Sequence, residues 1–139
     1  MSVAELDRFF DAEFPQMRQA GGMTLESVGP GSATMRLPYH PANLRPGGTI
    51  SGPAMFALAD VGLYAVILAH IGTIGLAVTT NLNINFLNKP KPQALLAECT
   101  LLKLGKRLAI GEARIYGQDD NILVAHATGT YSIPPVYKV

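Results

Sequence analysis

The sequence predicts an α+β domain, an antiparallel sheet wrapped around a long central helix. Three observations carry this prediction. Ala54 to Ala69 is apolar on every face of a helix, with Met55, Phe56, Leu58, Leu63, Val66, Ile67 and Leu68 spread around it, which marks a helix buried in a core. Strand-like runs lie on both sides of it in the chain, two before and four after. A long apolar helix cannot stand on the outside of a sheet in water, so the sheet has to close around it.

The elements follow in order. Val3 to roughly Phe14 reads as a short helix with an apolar stripe of Leu6, Phe9 and Phe10; Pro15 and Gly21-Gly22 end that region. Met23 to Val28 is a short strand and Gly29-Pro30-Gly31 a turn. Ser32 to Pro38 returns, with Ala33, Met35 and Leu37 alternating against polar neighbours. Tyr39 to Gly48 is a loop rich in proline and glycine. Ser51 then offers an N-cap, and Pro53 falls in the first helical turn, which does not need its missing N–H. Gly72 and Gly75 close the helix region.

Leu76 to Leu87 alternates strictly. Val78, Thr80, Leu82, Ile84 and Phe86 take one side; Thr79, Asn81, Asn83 and Asn85 take the other. Lys89-Pro90-Lys91-Pro92 breaks the strand. Leu95 to Leu104, Leu108 to Tyr116 and Ile122 to Ile133 are three more strands, turned at Gly105-Lys106 and at Gly117 to Asn121. The four C-terminal strands are expected to form an antiparallel meander.

Composition bounds the function. A chain of 139 residues makes one domain, residues 1–139, with room for a core. With 48% hydrophobic and 15% charged residues it is too apolar for disorder, and further burial by self-association is expected. A net charge of +1 gives no broad surface for nucleic acid. The first residues are acidic and amphipathic, unlike a signal peptide. The Pro53 to Ala69 stretch is short and carries Asp60 at its centre, so no membrane partner is expected. The single cysteine, Cys99, allows no internal disulfide, reads as a small buried residue and fits a reducing cytoplasm. His40, His70 and His126 have no spacing that would build a zinc site, so no metal is expected.

Asp60 is the only charged residue between Pro46 and Asn88. A carboxylate on an apolar helix is costly unless hydrogen-bonded, and desolvation makes it a stronger base. It is the prime catalytic candidate; a structural acid bonded to Tyr64, one turn on, is the alternative. Gly52 is the second candidate. Its N–H projects from the positive end of the helix, where a developing oxyanion is favoured, and a glycine permits close approach.

Gly48-Thr49-Ile50-Ser51-Gly52-Pro53, followed by Leu58-Ala59-Asp60 at its spacing, resembles the hotdog-fold acyl-CoA thioesterases of the PaaI type. Their pattern is a G-T-x-H-G-G turn and then x4-L-x-D on the central helix. The likeness covers roughly residues 22–133 and continues in Val78-Thr79-Thr80-Asn81-Leu82-Asn83 and in Leu102-Lys103-Leu104-Gly105-Lys106-Arg107. Ser51 stands where the family has histidine, and Pro53 where it has a second glycine. The family's loop asparagine has two nearby counterparts, Asn43 and Arg45.

The resemblance implies a hotdog fold and hydrolysis of a small or medium acyl or aryl thioester of coenzyme A. It implies no cofactor apart from the coenzyme A of the substrate itself. Asp60 would be general base or nucleophile, Gly52 the oxyanion donor, and Thr79 a hydroxyl beside the acid. Asn43, Arg45, Ser51 and Asn81 would contact substrate. Lys103, Lys106 and Arg107, with Lys89 and Lys91, would meet the coenzyme phosphates. Two other readings stay open. One is a non-catalytic acyl-CoA binding or sensing domain. The other is a hydratase or dehydratase, because His40 to Gly47 resembles the H-x5-P-G loop of the acyl-carrier-protein dehydratases.

Helix geometry adds an expectation about assembly. Gly52 and Asp60 are eight residues apart, so they stand roughly 12 Å apart along one helix at its usual rise. One thioester needs both within hydrogen-bonding reach. A homodimer with shared sites satisfies this, and pairing of dimers into a tetramer stays open.

Overall fold

The computed structural model describes residues 1–16, 22–72 and 77–135. Its elements are α1 (Val3–Glu13), β1 (Thr24–Gly29), β2 (Ser32–Leu37), a 3-10 turn (Pro41–Asn43), α2 (Gly52–Ile71), β3 (Val78–Phe86), β4 (Leu95–Leu104), β5 (Leu108–Gly117) and β6 (Leu123–Ser132). The expected ends at Gly21 and Gly75, and the strand start at Leu76, lie outside the described residues. Ser51 caps α2 as expected, its hydroxyl accepting from the Ala54 N–H at 3.3 Å.

The six strands form one antiparallel sheet in the order β1-β2-β4-β5-β6-β3. The expected four-strand meander is therefore a three-strand one, β4-β5-β6. Both edges of β4 are taken, by β2 and β5, so β3 pairs with the free edge of β6. Residues 88–92, proline-containing, span the crossing. This leaves β1 and β3 as the two edges.

The sheet wraps α2, and glycines let it come close. Gly111 and Gly129 face each other across β5 and β6. A methyl added at either would lie 2.8 or 2.9 Å from a Leu63 methyl, so the two glycines form a notch that seats Leu63. Gly62 makes a similar approach to β4, where an added methyl would lie 2.6 Å from Cys99 Sγ. This is the hotdog arrangement. By length and composition α2 could cross a membrane; here the sheet covers much of it. Phe56 is an exception to the all-round burial expected of the helix, since it remains exposed.

The histidines serve local structure. The His70 Nδ1–H donates to the Val66 carbonyl at 2.8 Å while Nε2 accepts from the Gly31 N–H at 2.7 Å, tying the end of α2 to the β1–β2 turn. His40 Nδ1 accepts from Ala42 N–H and caps the 3-10 turn. His126 pairs with Glu112 at 3.0 Å.

One irregularity matters for function. The register of β3 on β6 slips between Thr79 and Asn81: Thr79 pairs with Tyr131 but Asn81 with Thr130. One extra residue, Thr80, is inserted, and the alternation changes phase there. Leu82, Ile84 and Phe86 pair with Gly129, Ala127 and Ala125 on the helix-facing side, and Thr79 joins them opposite Tyr131. Asn81, Asn83 and Asn85 lie on the outer face, not on Thr79's face as the strict alternation predicted.

Candidate active site

Asp60 stands one turn before Leu63, so the glycine notch that seats Leu63 also sets its depth. It is half-buried rather than sealed in the core, at the wall of a cavity of about 800 Å³. Two hydroxyls hold its carboxylate. Thr79 Oγ1 donates to Oδ1 at 2.7 Å, and the Tyr131 hydroxyl donates to the same oxygen at 2.6 Å. The tyrosine also lies 2.8 Å from the main-chain carbonyl of Asp60. Burial first, and the Asp60 charge second, hold the Tyr131 pKa above the usual tyrosine range, so this phenol keeps its proton and acts as a donor.

The cavity is mostly apolar. α1 and its C-cap contribute Phe9, Glu13 and Phe14; α2 contributes Val61 and Tyr64; Ala77 and Val78 close the β3 side. The rings of Phe14 and Tyr64 meet edge to face with centroids 6.2 Å apart. Burial, together with the Glu13 charge, raises the Tyr64 pKa. Such a chamber suits an uncharged group and presents it to one carboxylate.

Gly52 opens on a different cavity, of about 510 Å³, with Ser51, Arg45, Phe86 and Lys89. Its N–H has no acceptor among the described residues, as befits the first turn of a helix. The Phe86 ring packs over it, 3.2 Å from where a side-chain methyl would begin. Within one chain, then, the oxyanion candidate and the acid candidate serve separate cavities.

The remaining candidates divide. Arg45 and Ser51 line the Gly52 cavity. The Asn43 carbonyl accepts from Ser51 N–H at 2.8 Å and so shapes the turn before α2. Asn81 is on the outer face, away from Asp60, because of the bulge at Thr80. Lys103, Lys106 and Arg107 are exposed on the β4–β5 hairpin and line neither cavity. That hairpin rises beside Ser132, which in turn pairs with Val78, so it stands two strands, about 10 Å, from the Asp60 cavity. His40 lines neither cavity. Among the described residues no three His, Cys, Asp or Glu side chains cluster to hold a metal.

Sequence reasoning missed Tyr131 and the wall built by α1. A signal for the first existed. Ala125, Ala127, Gly129 and Tyr131 alternate on the buried side of β6, and a tyrosine on a buried strand face must find a partner for its hydroxyl.

The family model described as Thioesterase superfamily matches residues 47–124. A Saccharolobus solfataricus protein provisionally named an esterase is 28% identical over 134 residues, 96% of this chain and 86% of that protein. A crystal structure from Silicibacter sp. TM1040, provisionally named a thioesterase, is 44% identical with a TM-score of 0.87, covering 97% of this chain and 93% of that one. A mutant of the phenylacetic acid degradation protein PaaI from Thermus thermophilus shares the fold, at 23% identity and a TM-score of 0.73, over 86% of this chain and 99% of that one.

Proposed function

The chain belongs to the thioesterase superfamily, and from that premise we propose that it hydrolyses small or medium acyl or aryl thioesters of coenzyme A. The observation that carries this reading is the Asp60 carboxylate, held by the Thr79 and Tyr131 hydroxyls at the wall of a largely apolar cavity. Asp60 takes a proton from an attacking water. The water oxygen bonds to the thioester carbon, and the carbonyl oxygen becomes an oxyanion at the Gly52 N–H. Collapse then breaks the C–S bond, and the proton on Asp60 leaves with the thiolate. The reaction needs no organic cofactor.

The site is shared between two subunits. β3 is an edge strand with an unpaired side, and Val78 and Phe86 near its ends are 55% and 53% exposed. Thr79 stands by the Asp60 cavity and Phe86 by the Gly52 cavity, so β3 connects the two half-sites. Antiparallel pairing of β3 with its copy reverses one strand against the other. It thereby sets the Gly52 end of one subunit beside Asp60 of the other. The exposed Phe56 and Leu87 would be covered by the same association.

A panel of acyl-CoA thioesters, followed by a thiol reagent, tests the reading. Cys99 will not contribute background, being buried with its thiol pushed up to about 12 by that burial. Asp60→Asn keeps the shape and removes the base, so turnover should fall by about a hundredfold or more. Wild-type turnover in that variant removes Asp60 from the mechanism. Tight acyl-CoA binding without thiol release across the panel identifies a binding domain instead.

A further inference from the structure

We propose that Tyr131 is a positioning residue of this site: with Thr79 it fixes Oδ1 of Asp60, so that Oδ2 is the oxygen presented to substrate as the base. The inference rests on the thioesterase reading of Asp60.

Both described hydrogen bonds to the carboxylate end on Oδ1, at 2.6 Å from Tyr131 and 2.7 Å from Thr79. Oδ2 receives none from the described residues. A carboxylate held at one oxygen by two donors cannot spin about its Cβ–Cγ bond without breaking both. The tyrosine is the buried, fixed donor of the two, and Thr79 the exposed one. The Tyr131 side chain is 1% exposed, and its ring edge lies 3.3 Å from where a methyl on Gly129 would stand. Thr79 reaches the same oxygen only because the bulge at Thr80 turns it to the helix side, opposite Tyr131. The second contact of the tyrosine, to the Asp60 carbonyl at 2.8 Å, ties the orientation of the side chain to the helix that bears it.

Deleting a hydrogen-bond donor to the charged form of an acid disfavours that form, so loss of the hydroxyl should show in the pH dependence of turnover. The other titratable groups facing this cavity are Glu13 on α1 and Tyr64 on α2. Thr79 faces it from β3 without titrating.

The test is the pH dependence of kcat in two variants, each also measured in a Glu13→Gln background so that Glu13 cannot supply the shift. Tyr131→Phe deletes only the hydroxyl. We expect kcat to fall about tenfold with KM little changed, and the acid limb to move up. Site-specific 3-fluorotyrosine at position 131 keeps the ring and provides a more acidic, stronger donor, so the acid limb should move down. If Tyr131→Phe does not fold, the fluorinated protein decides alone. Acid limbs that stay in place, with Asp60→Asn inactive, would show that Tyr131 is only a structural tie, and the proposal falls. Full turnover in Asp60→Asn would overturn the assignment of Asp60 itself, and that of Tyr131 with it.

Discussion

Replacing Gly62 with alanine sets two effects of opposite sign against each other. Alanine is the better helix former, by about 1 kcal/mol at an interior position. At this position, however, its methyl would lie 2.6 Å from Cys99 Sγ, about 1 Å inside normal contact, and both residues are buried. Overpacking of this kind costs about 1–3 kcal/mol. The clash belongs to one atom, because the next neighbours are Met35 Cβ at 3.5 Å and Ala97 Cβ at 3.8 Å, both ordinary contacts. In a Cys99→Ala background the penalty should therefore disappear and leave only the helix gain. Denaturant unfolding at a fixed protein concentration measures all four proteins of the cycle. We expect Gly62→Ala alone to be destabilised by up to about 2 kcal/mol, and to stabilise the Cys99→Ala protein by about 1 kcal/mol. Gly62 is two residues from Asp60, so a displaced helix would also stretch the Tyr131 bond, and activity should fall with stability in the single variant. A coupling energy within about 0.5 kcal/mol of zero would refute the reasoning, because independent sites add to that margin.

Mixed dimers test the shared site: Asp60→Asn subunits combined with subunits blocked at Gly52 by a bulky residue should regain one working site of two. Verified heterodimers that stay inactive would show that the two residues do not meet. Coenzyme A should raise the melting temperature, and Lys106→Ala with Arg107→Ala should weaken that rise, most at low salt; an unchanged rise would place the phosphates elsewhere. The Cys99 thiol is raised by burial from 9.0 to about 12, so its contribution to stability is complete below pH 9 and is lost as pH climbs from there to about 12. Tyr116, raised to about 12 by burial and by its bond to Glu98, adds to the alkaline loss from pH 10. Cys99→Ala should therefore delay the onset of the stability loss by about one pH unit in pH-dependent unfolding; an unchanged onset would mean the thiol is not protected.

What the chain alone determined was local. The core helix was legible because the run from Ala54 to Ala69 is apolar on every face apart from Asp60, and its start was legible because an N-cap acts through its own next residues. Asp60 stood out for the same reason, as the one charge in a long neutral run. The strand positions followed from turns and alternation to within a residue or two.

Tertiary structure decided the rest. Which strand lies beside β3 depends on which edges of β4 are already occupied, and no local pattern reports that. Thr79 and Asn81 read as equals in the sequence, both polar and two apart. The insertion of Thr80 against β6 sends one to the acid and the other to the outer face. Tyr131 lies 71 residues from Asp60, and its hydroxyl reaches that carboxylate only because Gly111 and Gly129 let the helix settle close to the sheet. Register and depth of packing are set by contacts between distant segments, so they exist only once those segments have met.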